Sequence, residues 1–95
     1  MTNSTQSIDF EQVEALRNHM SLSKSDMAEL ITVSRQTYYS WVKGAKVTKA
    51  NDKKVRIVLR KMLSIIKDHG WPTPVELALD PKERKAKLLA LYEEY

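Results

Sequence analysis

Polar side chains that can donate and accept hydrogen bonds recur at helical spacing between residues 35 and 43. At about 100° of rotation per residue, five of them fall within an arc of about 140°: Arg35, Gln36, Tyr39, Ser40 and Lys43. The opposite side of this segment is filled by Thr37, Tyr38, Trp41 and Val42. A guanidinium, an amide, a phenol, a hydroxyl and an ammonium on one face suit the base edges and phosphates of a DNA major groove. The spacing therefore predicts a recognition helix whose other face packs on a core.

Signals for helix starts place this segment third in a series of helices. Each signal combines a capping side chain with an apolar residue before it and another four residues after it. The caps are Asp9, Ser23 and Ser34, and the helices that they predict run over about 10–20, 24–31 and 35–43. Gly44 follows as a helix stop, because glycine adopts the left-handed conformation without strain from a Cβ atom.

The longest predicted helix follows a loop over residues 45–50. It is expected over 52–69, with Asn51 as its cap and Gly70 as its end. Its apolar residues cover more than one narrow stripe of the helix surface. We therefore expect this helix to form the centre of the core and to leave some apolar surface that can pair with another subunit.

The C-terminal segment begins where prolines interrupt the helical pattern. One helical turn is expected over residues 75–79, and Asp80 followed by Pro81 predicts a last helix that ends near Tyr95. No run alternates apolar and polar residues for long enough to predict a strand. The sequence therefore predicts an all-α fold, a compact bundle of four to five helices with a C-terminal helical extension.

Residues that support catalysis or metal binding are few and scattered. The chain has no cysteine, its two histidines stand alone, and it has no glycine-rich phosphate-binding loop. We therefore expect no enzymatic activity, no metal, no cofactor and no small-molecule substrate. The first residues lack a secretory signal pattern, and no apolar run reaches the length of a membrane span, so we expect a cytoplasmic protein without a membrane partner.

Charge is unevenly distributed along the chain, whose formal net charge is +4. Residues 21–70 have eleven bases and four acids, whereas the two flanking segments together have five bases and eight acids. Such segregation is typical of a surface that binds a polyanion. On charge alone, a basic helix that is merely solvated by its lysines remains an alternative.

Residues 22–44 resemble the helix-turn-helix of the phage repressor and Cro-like (XRE-type) DNA-binding family. The matching residues are Leu22, Ser23, Met27, Ala28, Glu29, Leu30, Val33, Ser34, Arg35, Thr37, Trp41 and Gly44. The family usually has glycine where Thr32 stands, at a position of positive φ, and often has glutamine where Lys24 stands. The resemblance covers about residues 10–66 and implies a lambda-repressor-like bundle with helix 35–43 in the major groove.

Functional residues are carried over from the family by position. The resemblance implies base contacts from the polar face of the recognition helix, by Arg35, Gln36, Tyr39 and Ser40. Arginine pairs with guanine and glutamine with adenine, which suits a sequence-specific contact. Phosphate contacts, which set register without distinguishing sequences, are implied for Lys24, Thr37, Lys43, Lys46 and Lys49. Tyr38 and Trp41 point to the inner side of the helix, so we expect them to pack in the core and not to stack on bases.

Together these features predict a sequence-specific regulator of transcription that binds double-stranded DNA and acts as a repressor of phage or mobile-element type. A single recognition helix makes few contacts, so we expect a homodimer on half-sites about one DNA turn apart. The expected location is the nucleoid of a bacterial or phage-infected cell. Two alternatives stay open: a protein-interaction adaptor or inhibitor built on a helix-turn-helix scaffold, and a non-specific nucleic-acid-binding protein.

The same pattern divides the chain into three parts. Residues 1–8 are expected to be a flexible N-terminus, and residues 9–70 the helix-turn-helix DNA-binding domain. Residues 71–95 are expected to be a helical extension. Two roles for this extension are open, because it can pack on the core of its own chain or form the dimer interface.

Overall fold

The computed structural model describes residues 8–95, and all regular secondary structure in that range is α-helical. Its helices are α1 (Phe10–His19), α2 (Lys24–Ile31), α3 (Arg35–Val42), α4 (Lys49–His69), α5 (Pro74–Ala78) and α6 (Pro81–Tyr92). The predicted all-α fold is confirmed. Most of the expected flexible N-terminus, residues 1–7, lies outside the described residues. Among the described helices, none combines the length and the apolar character needed to cross a membrane.

Side-chain caps start the helices where the sequence predicts them. The Asp9 carboxylate accepts the N–H of Glu11 at 3.0 Å, and Ser23 and Ser34 each accept the N–H three residues further on. Asp80 does the same at the start of α6. These oxygens accept hydrogen bonds from N–H groups that have no partner inside the helix. Helices α1, α2, α3 and α6 therefore begin at the predicted residues.

The start of α4 was predicted wrongly. Thr48, and not Asn51, is its N-cap, since the Thr48 hydroxyl accepts the N–H of Asn51 at 3.4 Å. Lys49 and Ala50 are therefore helical and do not belong to the preceding loop. Both residue types favour helix, so the helix extends back to the next side chain that can cap it. Val47, just before that cap, packs against the core and fixes where the chain enters the helix.

A residue in the left-handed backbone conformation follows each of the first three helices. These residues are Ser21 (φ 61°), Thr32 (φ 67°) and Gly44 (φ 113°), and the next N–H in each case bonds back into the last turn, as from Val33 to the Ala28 carbonyl at 3.0 Å. The positive φ expected at the Thr32 position is confirmed. A β-branched residue is strained there by about 1–2 kcal/mol, which glycine would avoid.

The core lies between α1, α2, α3 and α4. The central role predicted for α4 is confirmed, because four of its side chains are buried: Val55, Val58, Met62 and Ile65. Gly70 ends this helix with φ 64°, as predicted. The buried side chains that the other elements contribute include Val13, Met27, Ile31, Tyr38, Trp41, Trp71 and Leu88.

Helix α6 packs on the core of its own chain. Leu88 is buried, and the Lys85 ammonium pairs with the Asp26 carboxylate of α2. The Lys61 ammonium of α4 lies 4.5 Å from the centre of the Tyr92 ring, a favourable cation–π contact. The helix ends at Tyr92, three residues before the predicted end, and α5 begins one residue before the predicted turn.

A buried carboxylate holds α5 and α6 together. Glu76 accepts the N–H of Thr73 at 2.7 Å, the Thr73 hydroxyl at 2.6 Å and the Lys87 ammonium at 2.6 Å. The Lys87 and Thr73 hydrogen bonds lower the pKa of Glu76 to about 2. The Arg84 guanidinium donates to the backbone carbonyl of Glu76 at 3.0 Å and approaches the Ser21 hydroxyl at 3.4 Å. This network ties the C-terminal helices to the turn between α1 and α2.

Candidate nucleic-acid interface

The inner face of α3 anchors the candidate interface to the core. Tyr38 and Trp41 are buried, and both rings meet the edge or face of Phe10 in α1, at centroid distances of 5.2 and 5.6 Å. The prediction that they pack in the core is confirmed. Val42 was predicted to pack with them but is 38% exposed, because it is the last residue of α3, just before the chain turns at Gly44.

A hydrogen-bond network fixes the orientation of α3 about its own axis. The Tyr38 hydroxyl donates to the Glu14 carboxylate at 2.6 Å, and the Arg17 guanidinium makes two further bonds to this carboxylate, both at 2.9 Å. Arg17 also donates to the Leu22 carbonyl at 2.7 Å. The paired guanidinium lowers the pKa of Glu14, while burial and the Glu14 hydrogen bond raise the pKa of Tyr38. The carboxylate therefore stays ionised and the phenol stays a donor.

The outer face of α3 presents the predicted base-contacting residues together. Arg35, Gln36, Tyr39 and Ser40 are all exposed, and Tyr39 is 42% exposed. The Ser40 hydroxyl donates its proton to the Thr37 carbonyl at 2.7 Å. Its lone pairs, not its proton, are therefore available to a ligand. In the major groove these lone pairs match the exocyclic amino groups of adenine and cytosine, which are donors.

The Arg35 side chain at the start of α3 reaches the first turn of α2. The Arg35 guanidinium approaches the Ser25 hydroxyl at 3.4 Å, which joins the first residue of α3 to the first turn of α2. Lys24, the first residue of α2, is half-buried. Lys24 and Arg35 therefore place two cations beside the first turn of α2, where they can pair with phosphate. Ser25 was not predicted as a site residue. Its only sequence signal is its place in the first turn of α2, the helix that precedes the recognition helix.

The remaining predicted phosphate-contacting residues lie in α3, in the loop after it and at the start of α4. Lys43 and Lys46 are exposed just after α3, and Lys49 is exposed as the first residue of α4. Thr37 is half-buried, and its oxygen accepts the Ser34 hydroxyl at 2.8 Å, which leaves the Thr37 proton free to donate. These four positions are compatible with backbone contacts, which need a charge or a donor and little else.

One further base lies beside the turn between α2 and α3. The Lys54 ammonium of α4 is 3.5 Å from the Thr32 carbonyl. This contact places the first turns of α4 next to the helix-turn-helix. Lys54 is therefore a further cation beside the helix-turn-helix, in line with the charge segregation in the sequence.

Comparison of this chain with protein-family models, with curated proteins and with solved structures finds no match. Within residues 8–95, no group of three or more histidine or carboxylate side chains is placed to hold a metal ion.

Proposed function

We propose that the protein is a sequence-specific repressor that binds double-stranded DNA by inserting α3 into the major groove. The observation that supports this most strongly is the exposed row of Arg35, Gln36, Tyr39 and Ser40 on a helix whose other face is held by Tyr38. Their donors and acceptors differ from one position to the next. Such variety suits base edges, which differ in the same way, better than it suits uniform phosphates.

Each side chain of the row has a distinct chemical role in this proposal. Arg35 donates two parallel hydrogen bonds to guanine O6 and N7, and Gln36 pairs with the N6 and N7 atoms of adenine. Ser40 accepts from an exocyclic amine, because its own proton is bound to Thr37. Tyr39 packs its ring on a thymine methyl group. Together the four residues specify a short run of base pairs.

Phosphate contacts orient this helix. Lys24 and the first turn of α2 hold one strand, and the exposed ammonium groups of Lys43, Lys46 and Lys49 hold the backbone beyond the end of α3. These contacts add affinity for any sequence and make it depend on salt concentration, because each one releases a counterion.

A homodimer completes the proposed site. Helix α3 has eight residues and is about 12 Å long, so one copy covers only a few base pairs. Two copies on half-sites about 34 Å apart double the contacted sequence. Occupation of such a site excludes other proteins from the same DNA, which is sufficient for repression in a bacterial or phage-infected cell.

Selection from a random duplex pool at near-physiological salt tests the proposal. We expect an enriched inverted repeat with half-sites about one turn apart, since non-specific binding is weak at that salt. Enrichment of DNA without any motif would favour the non-specific alternative. If no DNA is retained, the proposal is wrong and the adaptor alternative gains support.

Two single variants then separate base contacts from phosphate contacts. Arg35→Ala should cost about 1–3 kcal/mol at one base position and relax specificity there. Lys46→Ala should weaken binding to all sequences and reduce the salt slope by about 1. Lys67→Ala is the control, because it removes another exposed lysine near the other end of α4, about 27 Å along the helix from Lys49. Equal losses on every sequence for Arg35→Ala would contradict its assigned role.

A further inference from the structure

The outer face of α4 is another strongly basic surface, which begins at the proposed phosphate contact Lys49. This helix has seven bases and two acids, and its buried side chains lie on the side that faces the core. The outward side chains fall within about 60° of Arg60 at 100° per residue. They include Lys49, Lys53, Arg56, Ile57, Arg60, Leu63, Ser64 and Lys67. Asp52 and Asp68 lie at the two margins of this face, and Asp52 pairs with Arg56.

Apolar side chains lie among these bases and form a shallow groove. The groove is lined by Arg56, Leu59, Arg60, Leu63, Ser64 and Lys67. Leu63 is 56% exposed and neighbouring Ile57 is 45% exposed, although both are large apolar residues. Leu59 and Leu63 are one helical turn apart, so they form a short apolar stripe with cations beside it. The groove extends about 17 Å along α4, from Arg56 to Lys67.

We propose that this groove binds an acidic amphipathic helix of a partner protein. Apolar side chains of such a helix cover Leu59 and Leu63, and its carboxylates pair with Arg60 and Lys67 at the rim. Arginine and carboxylate form short, charge-assisted hydrogen bonds, and a helix laid in a groove contacts it through residues three and four apart. The proposal is independent of DNA binding, because it uses none of the side chains assigned to the DNA.

Two other occupants fit the same surface less well. A DNA backbone would pair with the cations but would leave Leu63 and Ile57 without apolar partners. A second copy of this chain would place one basic face against the same basic face in a symmetric pair. The like charges of the two copies would then repel each other. An acidic amphipathic helix matches both the charge and the apolar stripe.

A designed peptide of about 16 residues, with leucine at helical spacing and glutamate elsewhere, is the probe. We expect its addition to ¹⁵N-labelled protein to shift backbone amide signals within residues 56–67. Replacement of the peptide leucines by serine should weaken binding at least about tenfold, since the apolar contact is then lost. Shifts confined to α3, or equal binding of the two peptides, would overturn the proposal.

Matched variants of the protein identify the groove as the site. Leu63→Ser and Arg60→Glu should each weaken peptide binding by about tenfold or more. Leu77→Ser is the control for the first, because Leu77 of α5 is 57% exposed, and Lys82→Glu on α6 is the control for the second. All four side chains are exposed, so circular dichroism should show folded proteins. Unchanged peptide binding by Leu63→Ser would contradict the assignment.

Two further measurements distinguish the other occupants. Sedimentation of wild-type protein and Leu63→Ser should give the same oligomeric state; conversion of a dimer to a monomer would show that a second copy occupies the groove and would overturn the proposal. Duplex DNA should not displace the peptide from the folded protein, and displacement would identify a polyanion surface instead. DNA binding by Leu63→Ser should equal that of wild type, so failure of either proposal leaves the other one testable.

Discussion

Glu14 and Glu76 each accept several hydrogen bonds, but they join different kinds of neighbours. Glu14 binds Tyr38, which is 24 residues away on another helix, whereas Glu76 binds Thr73 and Lys87, which are 3 and 11 residues away. The first carboxylate orients the proposed DNA-contacting helix. The second stabilises the C-terminal helices among themselves. Changes around Glu14 should therefore affect both stability and DNA binding, and changes around Glu76 should affect stability alone as long as α6 stays docked on the core.

The largest effect is expected from Tyr38→Ala. It removes a fully buried ring together with its hydrogen bond to Glu14, and loss of a buried aromatic side chain costs about 3–5 kcal/mol of unfolding free energy. Urea unfolding measures this loss, and a DNA-binding assay at low temperature should show weaker binding by the folded fraction. Leu88→Ala on α6 should cost about 2–5 kcal/mol without reducing the DNA affinity of molecules in which α6 stays docked. Equal losses of DNA affinity in Tyr38→Ala and Leu88→Ala would contradict the proposed difference between the two regions.

A smaller effect is expected when only the hydroxyl of this ring is removed. Tyr38→Phe keeps the packing on Phe10 but deletes one bond to the Glu14 carboxylate, which should cost about 1–2 kcal/mol. A less tightly oriented α3 should lower affinity for the selected DNA by about two- to fivefold. Tyr92→Phe is the matched control, since it removes a hydroxyl on α6. Unchanged DNA affinity of Tyr38→Phe would show that the network does not position the interface.

Acid should reveal the contribution of Glu76. Its pKa in the folded protein is about 2, below its ordinary value of 4.5, so its stabilising effect is complete above pH 4.5 and is lost as the pH falls from 4.5 to about 2. Glu76→Gln should therefore be less stable than wild type at pH 7, and the two should converge near pH 2. Thermal unfolding over this pH range tests the expectation. Glu93→Gln, at the exposed end of α6, should follow wild type, and a constant gap between wild type and Glu76→Gln would argue against the pairing.

The smallest effect should be a gain in stability. Thr32→Gly relieves about 1–2 kcal/mol of left-handed strain but costs about 0.5–1 kcal/mol in backbone entropy, so we expect a net gain of about 0.5–1 kcal/mol. Ser21→Gly is its counterpart near the C-terminal network, because Ser21 is also left-handed and lies near Arg84. Its gain should be smaller, since serine is not β-branched. Thermal unfolding compares the two, and loss of stability in Thr32→Gly would contradict the strain argument.

Helix starts were predictable because their signals lie within a few residues. Asp9, Ser23 and Ser34 cap as expected, since the choice depends on one side chain and the turn that follows. At α4 two capping residues, Thr48 and Asn51, compete within a single turn. Which one caps depends on where Val47 packs, and that tertiary contact is not readable from neighbouring residues.

The outer face of α3 was predictable for a geometric reason. Helical rotation fixes which side chains share a face, so exposure of Arg35 and burial of Trp41 follow from the spacing. The burial of Val42 was predicted wrongly, because periodicity shows which side of a helix a residue lies on but not how far along the helix that side is covered. The bond between Glu14 and Tyr38 depends on a contact between distant segments, for which the sequence has no local signal. The apolar surface left on α4 follows from the width of its apolar arc, but which of its residues stay uncovered depends on the helices that pack against it.

Asp26 has two partners that belong to different parts of the fold. Its carboxylate accepts the backbone N–H of Ser23 at the start of α2, and it also pairs with Lys85 of α6. Undocking of α6 therefore removes the cation that pairs with this capping carboxylate, which lies beside Lys24, a proposed phosphate contact. Free-energy linkage makes such a coupling reciprocal. If undocking of α6 lowers the affinity for DNA at the start of α2, DNA bound there stabilises the docking of α6 by the same free energy.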